Sequence, residues 1–475
     1  MMKDRFLKTN EIKNIKDEVK KVFFYRICGT GMGSAATLLK EQGINVHGAD
    51  TDFFPPMSSY LERSGIPLRK ISDCTVDYLN NFDLIIVGNV VPKNSEDAKM
   101  LESLEVPLTS FPQALGGLLL DEKSVVGISG THGKTTTTYL GVQVFKKLGV
   151  DPGYLIGGVL PEGMSSHVGT SELFFIEADE YDTAYFEKTS KFLHYEIDHL
   201  ILTSLEFDHA DIFKDESEML GSFLTLVDRD LENNIANIDY PLVSDVLRKK
   251  EATAMYGEDN SQFGPTNITK TPVGTSFILH HQNKSYQFET NLDIGHNILN
   301  LSSIILLALN LGYSEDLING AIKNLQLVKR RQEVVGRING AILIDDFAHH
   351  PTAIEKTLGT IRSIYPNKEI IAIFEPASST ARSDLFQERF IESFKLAQSV
   401  IVIPPSRKST VISGGNLDIE KLAQDLVKNG KQIYLADNLK SLEETLLNVS
   451  NEKNVIITLS NGKVLNLFAS EFIEK

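Results

Sequence analysis

Ser124-Val125-Val126-Gly127-Ile128-Ser129-Gly130-Thr131-His132-Gly133-Lys134-Thr135-Thr136-Thr137-Thr138 decides how this chain is read. An apolar run containing Val125, Val126 and Ile128 ends in a glycine turn, and helix-compatible sequence follows. A buried strand that breaks into such a turn and opens a helix makes an anion site. The freed backbone N–H groups and the helix N-terminus then face one volume. Lys134 adds a point charge for the β- and γ-phosphates of a nucleotide, and the Thr135 hydroxyl is a ligand for Mg²⁺. The stretch departs from the generic loop, in which a glycine stands where this chain has Ile128; here Gly127 and Gly130 flank that position. A Gly/Thr-rich turn with a stray lysine is the alternative. Gly-Lys-Thr directly after an apolar strand argues against it.

Downstream, Leu173-Phe174-Phe175-Ile176 reads as a buried strand with Glu177-Ala178-Asp179-Glu180-Tyr181-Asp182 at its carboxyl end. An acid there, beside a phosphate loop in a parallel sheet, is the natural second ligand for Mg²⁺, and Glu177 comes first. Another strand, His199 to Ser204, leads into Leu205-Glu206-Phe207-Asp208-His209-Ala210-Asp211. His209 between two aspartates suits a metal or a phosphate, although a lone histidine is more often structural. The polar segment from about 230 to 290 reads as a peripheral β-meander with strands at Thr275–Leu279 and Ser285–Phe288. Gly295-His296-Asn297-Ile298-Leu299-Asn300 opens an apolar helix. Asn297 and Asn300, one turn apart, either cap it or offer amide edges to a base.

Upstream, Val22 to Ile27 reads as a strand, Cys28-Gly29-Thr30-Gly31-Met32-Gly33-Ser34 as a turn, and the chain to Gln42 as a helix. The strand Ile44–Ala49 then ends at Asp50, where a dinucleotide-type βαβ unit carries its ribose-binding acid. Ser34 replaces the third glycine, so both a nucleotide site and a plain βα turn fit. Phe53-Phe54-Pro55-Pro56-Met57 either lines a cleft or packs its own aromatics. Beyond Val328-Lys329-Arg330-Arg331-Gln332 a new βα pattern begins. Its polar clusters, Asp345 to His350, Glu375 to Arg382 and Ser460 to Gly462, follow successive apolar strands and predict a ligand rim that closes over the central site.

With 475 residues, domains are expected at 1–120, 121–327 and 328–475. A net charge of −16 without a long basic tract argues against nucleic-acid binding. The two cysteines, Cys28 and Cys74, make no disulfide framework. The charged N-terminus lacks the apolar core of a signal peptide. The apolar segment Ile298–Leu311 is interrupted by Asn300, Ser302, Ser303 and Asn310. A soluble cytoplasmic protein without membrane insertion is expected.

The segment Gly127–Thr137 resembles the ATP-binding loop of the Mur ligases, the ATP-dependent amino-acid and peptide ligases of peptidoglycan synthesis. Glu177-Ala178-Asp179-Glu180, Asp208-His209, Gly295-His296-Asn297 and Asp345-Asp346-Phe347-Ala348-His349-His350-Pro351 match further family blocks in order. The resemblance implies an α/β chain with a Rossmann-like N-terminal domain, a P-loop ATPase-like mixed central sheet and a Rossmann-like C-terminal domain. UDP-N-acetylmuramate would then lie at Gly29, Thr30, Gly31, Met32 and Asp50, and ATP at Gly130, Thr131, His132, Gly133, Lys134, Thr135 and Thr136. Thr135, Glu177 and His209 would hold Mg²⁺. Asn297 would contact adenine, Asp346 the ribose, and Arg331, or equally Arg330, the phosphates. The C-terminal domain would bind the incoming amine, with Arg382 at its rim and His349 positioning the amine or accepting its proton. Within the family the chain looks like the members that attach an intact murein tripeptide, through an acyl phosphate, in peptidoglycan recycling. Ile27-Cys28-Gly29-Thr30, Glu180-Tyr181-Asp182, Ser190-Lys191-Phe192 and the single arginine of the block Glu375–Arg382 carry that likeness. The L-alanine-adding member is the nearest alternative. A nicotinamide-dependent oxidoreductase and a silent nucleotide-binding protein are more distant ones. A monomer or weak homo-oligomer is expected.

Overall fold

The computed structural model describes residues 5–207, 212–247, 252–258, 264–378, 381–404 and 415–474. Strands β1 (Lys21–Tyr25), β2 (Asn45–Asp50), β3 (Leu68–Lys70), β4 (Leu84–Val87) and β5 (Leu108–Ser110) form a sheet in the order β3-β2-β1-β4-β5. Every pairing in it is parallel. The order reverses at β1, whose carboxyl end carries the Gly29 turn, and a crevice opens at such a switch point. The following helix, Thr30–Glu41, buries Ala35, Leu38 and Leu39 against the sheet at helical spacing.

The central sheet is built from β6 (Ser124–Ser129), β7 (Gly153–Leu155), β8 (Ser166–His167) and β9 (Leu173–Glu177). A two-stranded hairpin, β10 (Asp182–Ala184) and β11 (Glu187–Ser190), stands outside it. It continues with β12 (His199–Leu202), β13 (Asn233–Asn237) and β14 (Ala254–Tyr256), in the order β14-β13-β12-β6-β9-β7-β8. Only β8 runs antiparallel to its neighbour. Covered on both faces, β6 and β9 read as continuous apolar runs, which is why they stand out in the sequence.

The meander expected over 230–290 is half that length. It is the antiparallel sheet β15 (Pro265–Thr271), β16 (Gly274–His281) and β17 (Lys284–Thr290). Its first part instead supplies β13 and β14 to the central sheet. Asn233 hid this, because its polarity is satisfied inside: it bonds His199 Nδ1 at 3.0 Å and Asn310 at 2.8 Å.

The C-terminal sheet comprises β18 (Glu333–Ile338), β19 (Ala341–Asp346), β20 (Glu369–Phe374), β21 (Ser399–Val402), β22 (Gln432–Leu435) and β23 (Asn454–Leu459). Its order is β18-β19-β23-β20-β21-β22, with only β18 antiparallel. The α/β architecture with parallel sheets is thus the one expected. One apolar cluster runs from Phe24 through Leu115 and Leu118 to Val125, Phe174 and Leu200, joining the first two sheets. The C-terminal sheet keeps its own clusters, around Ile354 and Phe374 on one face and Leu343 and Ile373 on the other. Among the described residues, no helix is long and apolar enough to cross a membrane.

Candidate active site

β6 delivers its loop from the middle of the central sheet, between β12 and β9. Gly130 takes φ +133°, and a Cβ there would stand 2.5 Å from the Ser204 carbonyl oxygen. Gly133 takes φ +86°, and its Cβ would stand 2.8 Å from Asn300 Oδ1. Both the backbone and the space exclude a side chain at these two positions. The unusual spacing follows from this, since glycine is needed where the loop passes the end of β12, whereas Ile128 is still strand and fully buried. Thr131 N–H donates to Ser204 O at 3.3 Å and His132 N–H to Ser204 Oγ at 2.7 Å. Those amides brace the loop. The donors left for an anion are the first-turn N–H groups of Lys134, Thr135 and Thr136, which a helix cannot satisfy internally.

Lys134 folds back over the loop, with Nζ 2.6 Å from Gly130 O, 3.0 Å from Glu180 Oε2 and 3.8 Å from Asp179 Oδ1. Burial opposes its charge, but Glu180 and Asp179 outweigh burial and raise its pKa above the usual lysine value. Thr135 Oγ1 donates to Glu177 Oε2 at 2.9 Å, and Gly157 N–H to Glu177 Oε1 at 2.5 Å. Burial, and after it Asp179, pushes the Glu177 carboxyl up to about 7. A cation would relieve both effects. A hydroxyl and a carboxylate are hard oxygen donors, so this pair fits Mg²⁺. The acids after β9 divide, because Asp182 pairs instead with Lys188 across the hairpin.

A cavity of about 420 Å³ opens above the loop. Thr30 and Gly31 reach it from the N-terminal sheet, Lys134 and Glu177 from the central one, and Arg331 and His349 from the C-terminal one. A second cavity, about 400 Å³, adjoins it through Arg331 and is lined by Asn297, Leu325, Val328, Ile344 and Ile361. At the edge of the first, Glu206 joins two layers. His132 Nε2 lies 3.1 Å from its Oε2, while Thr352 and Arg389 donate to its Oε1 at 2.8 and 3.2 Å. Burial would raise the Glu206 pKa, but the hydrogen bond and charge of His132, then His350 and Thr352, hold it at about 2. The His132 and His350 rings are 4.8 Å apart.

Three family models match in order. The Mur ligase family catalytic domain covers residues 21–123, the Mur ligase middle domain 128–308, and the Mur ligase glutamate ligase domain 330–462. The chain is 33% identical over 461 residues to the UDP-N-acetylmuramate–L-alanyl-γ-D-glutamyl-meso-2,6-diaminoheptandioate ligase of Haemophilus influenzae, covering 94% of this chain and 96% of that protein. It is 32% identical over 435 residues to the UDP-N-acetylmuramate–L-alanine ligase of Streptococcus mutans, covering 90% and 91%. The crystal structure of a murein peptide ligase from Psychrobacter arcticus superposes with a TM-score of 0.68 at 27% identity, covering 94% of this chain and 97% of that one. This chain belongs to the Mur ligase family. It is an enzyme of the ATP-dependent, ADP-forming ligase class.

The Mur ligase positions named from sequence are distributed as follows around the two cavities. Thr30, Gly31, Thr131 to Thr136, Glu177, Arg331, Asp346 and His349 line the main cavity, and Asn297 lines the second. Gly130 shapes the loop from beneath. Asp50, Met32 and Arg382 stand off the cavity wall. The Asp50 carboxylate accepts the Cys28 N–H at 2.8 Å, the Met32 side chain is buried in the core, and Arg382 Nε donates to Ser378 O at 3.2 Å. Gly29 caps the helix that Thr30 begins. His209 lies outside the described residues.

Arg330 and Arg331 are now distinct. Arg330 is committed to Asp345 Oδ2 and to the carbonyls of Ser460 and Gly462, each at 2.9 Å, while half-buried Arg331 faces both cavities. Among the described residues, the rim expected from three clusters is formed by the first. Glu375 and Ser460 are bonded to each other at 2.6 Å and support the strand ends. Sequence reasoning passed over Lys191, Tyr181, Phe111 and Lys356, which also line the cavity. The only signal for Lys191 was its place in the block Ser190-Lys191-Phe192.

Proposed function

We propose that this enzyme joins the free amine of L-alanyl-γ-D-glutamyl-meso-diaminopimelate to the lactyl carboxylate of UDP-N-acetylmuramate, with ATP as co-substrate, in the cytoplasm. The observation that carries this is one cavity walled by all three parallel sheets, with Lys134 at its floor. ATP, acceptor and amine can meet there. The base fits the adjoining cavity, with the Asn297 amide and the apolar walls of Leu325 and Ile344 around it. The ribose then lies toward Asp346, and the phosphates run past Arg331 to Lys134.

Bound Mg²⁺, which Thr135 and Glu177 would hold, with a second Mg²⁺ near His209, would neutralise charge on the phosphates. Lys134 and the first-turn amides hold the β- and γ-phosphates and draw charge from the transferring group. An oxygen of the acceptor carboxylate attacks the γ-phosphorus. The bond to the β,γ-bridging oxygen breaks, and ADP leaves with the electron pair. The tripeptide amine then attacks the acyl carbon of the acyl phosphate, and phosphate departs with the electron pair of the C–O bond. His349 Nδ1 lies 3.0 Å from the Phe347 carbonyl. A carbonyl only accepts, so Nδ1 carries the proton. The ring lines the cavity, where it can position the amine or accept its proton.

The tripeptide is preferred to L-alanine because the Haemophilus and Psychrobacter relatives carry the peptide-ligase name, and because the block Glu375–Arg382 has a single arginine and small side chains. Purified protein with ATP and UDP-N-acetylmuramate is offered tripeptide or L-alanine in parallel. ADP and one new UDP-linked product are expected with tripeptide. ADP release with L-alanine alone would transfer the enzyme to the alanine-adding reaction.

A further inference from the structure

Lys191 follows the hairpin β10–β11 and has no part in the steps above. Its N–H donates to Tyr181 O at 3.1 Å, which fixes the residue beside the acids that follow β9. Its side chain is 13% exposed, and its ammonium lies 5.3 Å from the ring centres of both Phe111 and Tyr181. Phe111 begins the helix Phe111–Leu118, which follows the last strand of the N-terminal sheet. Lys191 therefore stands in the part of the cavity between the Gly29 turn and the phosphate loop, where Thr30, Gly31 and Asn89 also face the space. Asp179 connects it to the loop lysine. Asp179 Oδ2 is 3.5 Å from Lys191 Nζ, and Asp179 Oδ1 is 3.8 Å from Lys134 Nζ. Both separations are long for a charge-assisted hydrogen bond. The Lys191 ammonium is partly desolvated by two rings and only loosely paired, so it retains donors for a second anion.

The proposed reaction needs a cation at this place. The acceptor must bring a carboxylate against a γ-phosphate, and two anions at contact distance repel unless positive charge lies beside them. Lys134 is occupied by the phosphates. Lys191 shares Asp179 with it and lies on the acceptor's side.

We infer that Lys191 binds the lactyl carboxylate of the sugar nucleotide and determines the preference for a muramyl over an N-acetylglucosaminyl nucleotide. This rests on the acceptor proposed above. Binding of UDP-N-acetylmuramate and of UDP-N-acetylglucosamine, which lacks the lactyl group, is measured calorimetrically on the full chain. Wild type is expected to prefer the muramyl nucleotide. Lys191→Met should weaken that nucleotide by about 10- to 100-fold, the range for a hydrogen bond between charged groups, and leave the glucosaminyl one unchanged. Lys191→Arg should restore part of the difference. A Lys191→Met protein that keeps the wild-type preference overturns the inference. Equal weakening of both nucleotides also overturns it, by assigning Lys191 to the shape of the hairpin. A wild-type protein that does not distinguish the two overturns the acceptor assignment itself.

Discussion

The central sheet meets its two neighbours in different ways. Toward the N-terminal sheet the core is continuous through Leu115, Val125, Phe174 and Leu200. Backbone also meets backbone closely there, because a Cβ on Gly116 would stand 2.3 Å from the His194 carbonyl oxygen. Toward the C-terminal sheet no apolar cluster crosses among the described residues. Among the described residues, the seam includes Glu206 with Thr352 and Arg389, His132 beside His350, Thr360 with His296 at 3.5 Å, and Lys356 over the Tyr240 ring at 4.7 Å. Water can replace each of those polar partners at small cost, whereas nothing in water replaces a buried core. The continuous core ties the first two sheets into one body, so a change of arrangement costs less at the seam with the C-terminal sheet. The apolar groups that do face across the second seam, Val328 and Leu325 on one side and Ile344 and Ile361 on the other, line a cavity of about 400 Å³. A base that fills it would supply the packing this seam lacks.

Lys134 sits where the two seams meet, and its loss should have the largest effect. Lys134→Ala is expected to lower ADP release by about 10³-fold, the scale for removing a key charge-stabilising donor. Turnover near the wild-type rate would remove the phosphate loop from the reaction. The apolar seam is broken most directly by Gly116→Val, whose new Cβ meets an immovable carbonyl. Chemical denaturation should show a loss of about 3 kcal/mol. Unchanged stability would mean that the first two sheets are not tightly joined.

At the polar seam, Asp346 supplies a pH signature. Burial leads the causes that raise its carboxyl to about 6, above the ordinary value of about 4. Between about pH 6 and 4 the folded chain then holds a proton that the unfolded chain does not, so this group adds stability as pH falls through that window. The gain should approach about 2 kcal/mol and vanish in Asp346→Asn, as read from denaturation midpoints across the window. A slope that survives in the variant belongs to another group. The smallest effect is expected from Arg389→Ala, since this side chain is 51% exposed. Stability should change by less than about 0.5 kcal/mol, while small-angle scattering of the ligand-free protein should show a slightly larger radius of gyration. A stability loss equal to that of Gly116→Val would erase the contrast between the seams.

Sequence reading succeeded where one local pattern has one physical cause. The run into Gly-Lys-Thr and the acids after Ile176 gave the strand, the glycine turn and the Thr135–Glu177 contact at 2.9 Å, because strand, turn and charge follow one another along the chain. It failed where the partner is distant. Asn233 looked like loop material, since its hydrogen-bond partners lie on β12 and on the helix His296–Asn310. Arg330 and Arg331 cannot be separated as neighbours in a sequence. The left-handed backbone at Arg330, φ 61°, belongs to a local course of the chain that no pattern announces.

Those two arginines have a thermodynamic consequence. Lys329 N–H is bonded to Val159 O of the central layer at 3.0 Å, Arg330 is fastened to the C-terminal layer, and Arg331 faces the ligand space. Three consecutive residues thus connect two bodies and a binding site. A ligand at Arg331 that prefers one arrangement of the bodies shifts their equilibrium, and that arrangement must raise the ligand's affinity by the same factor. Nucleotide affinity is therefore also a gauge of how often the empty enzyme stands closed. Any covalent tie that holds the second seam shut should tighten nucleotide binding by the inverse of that closed fraction.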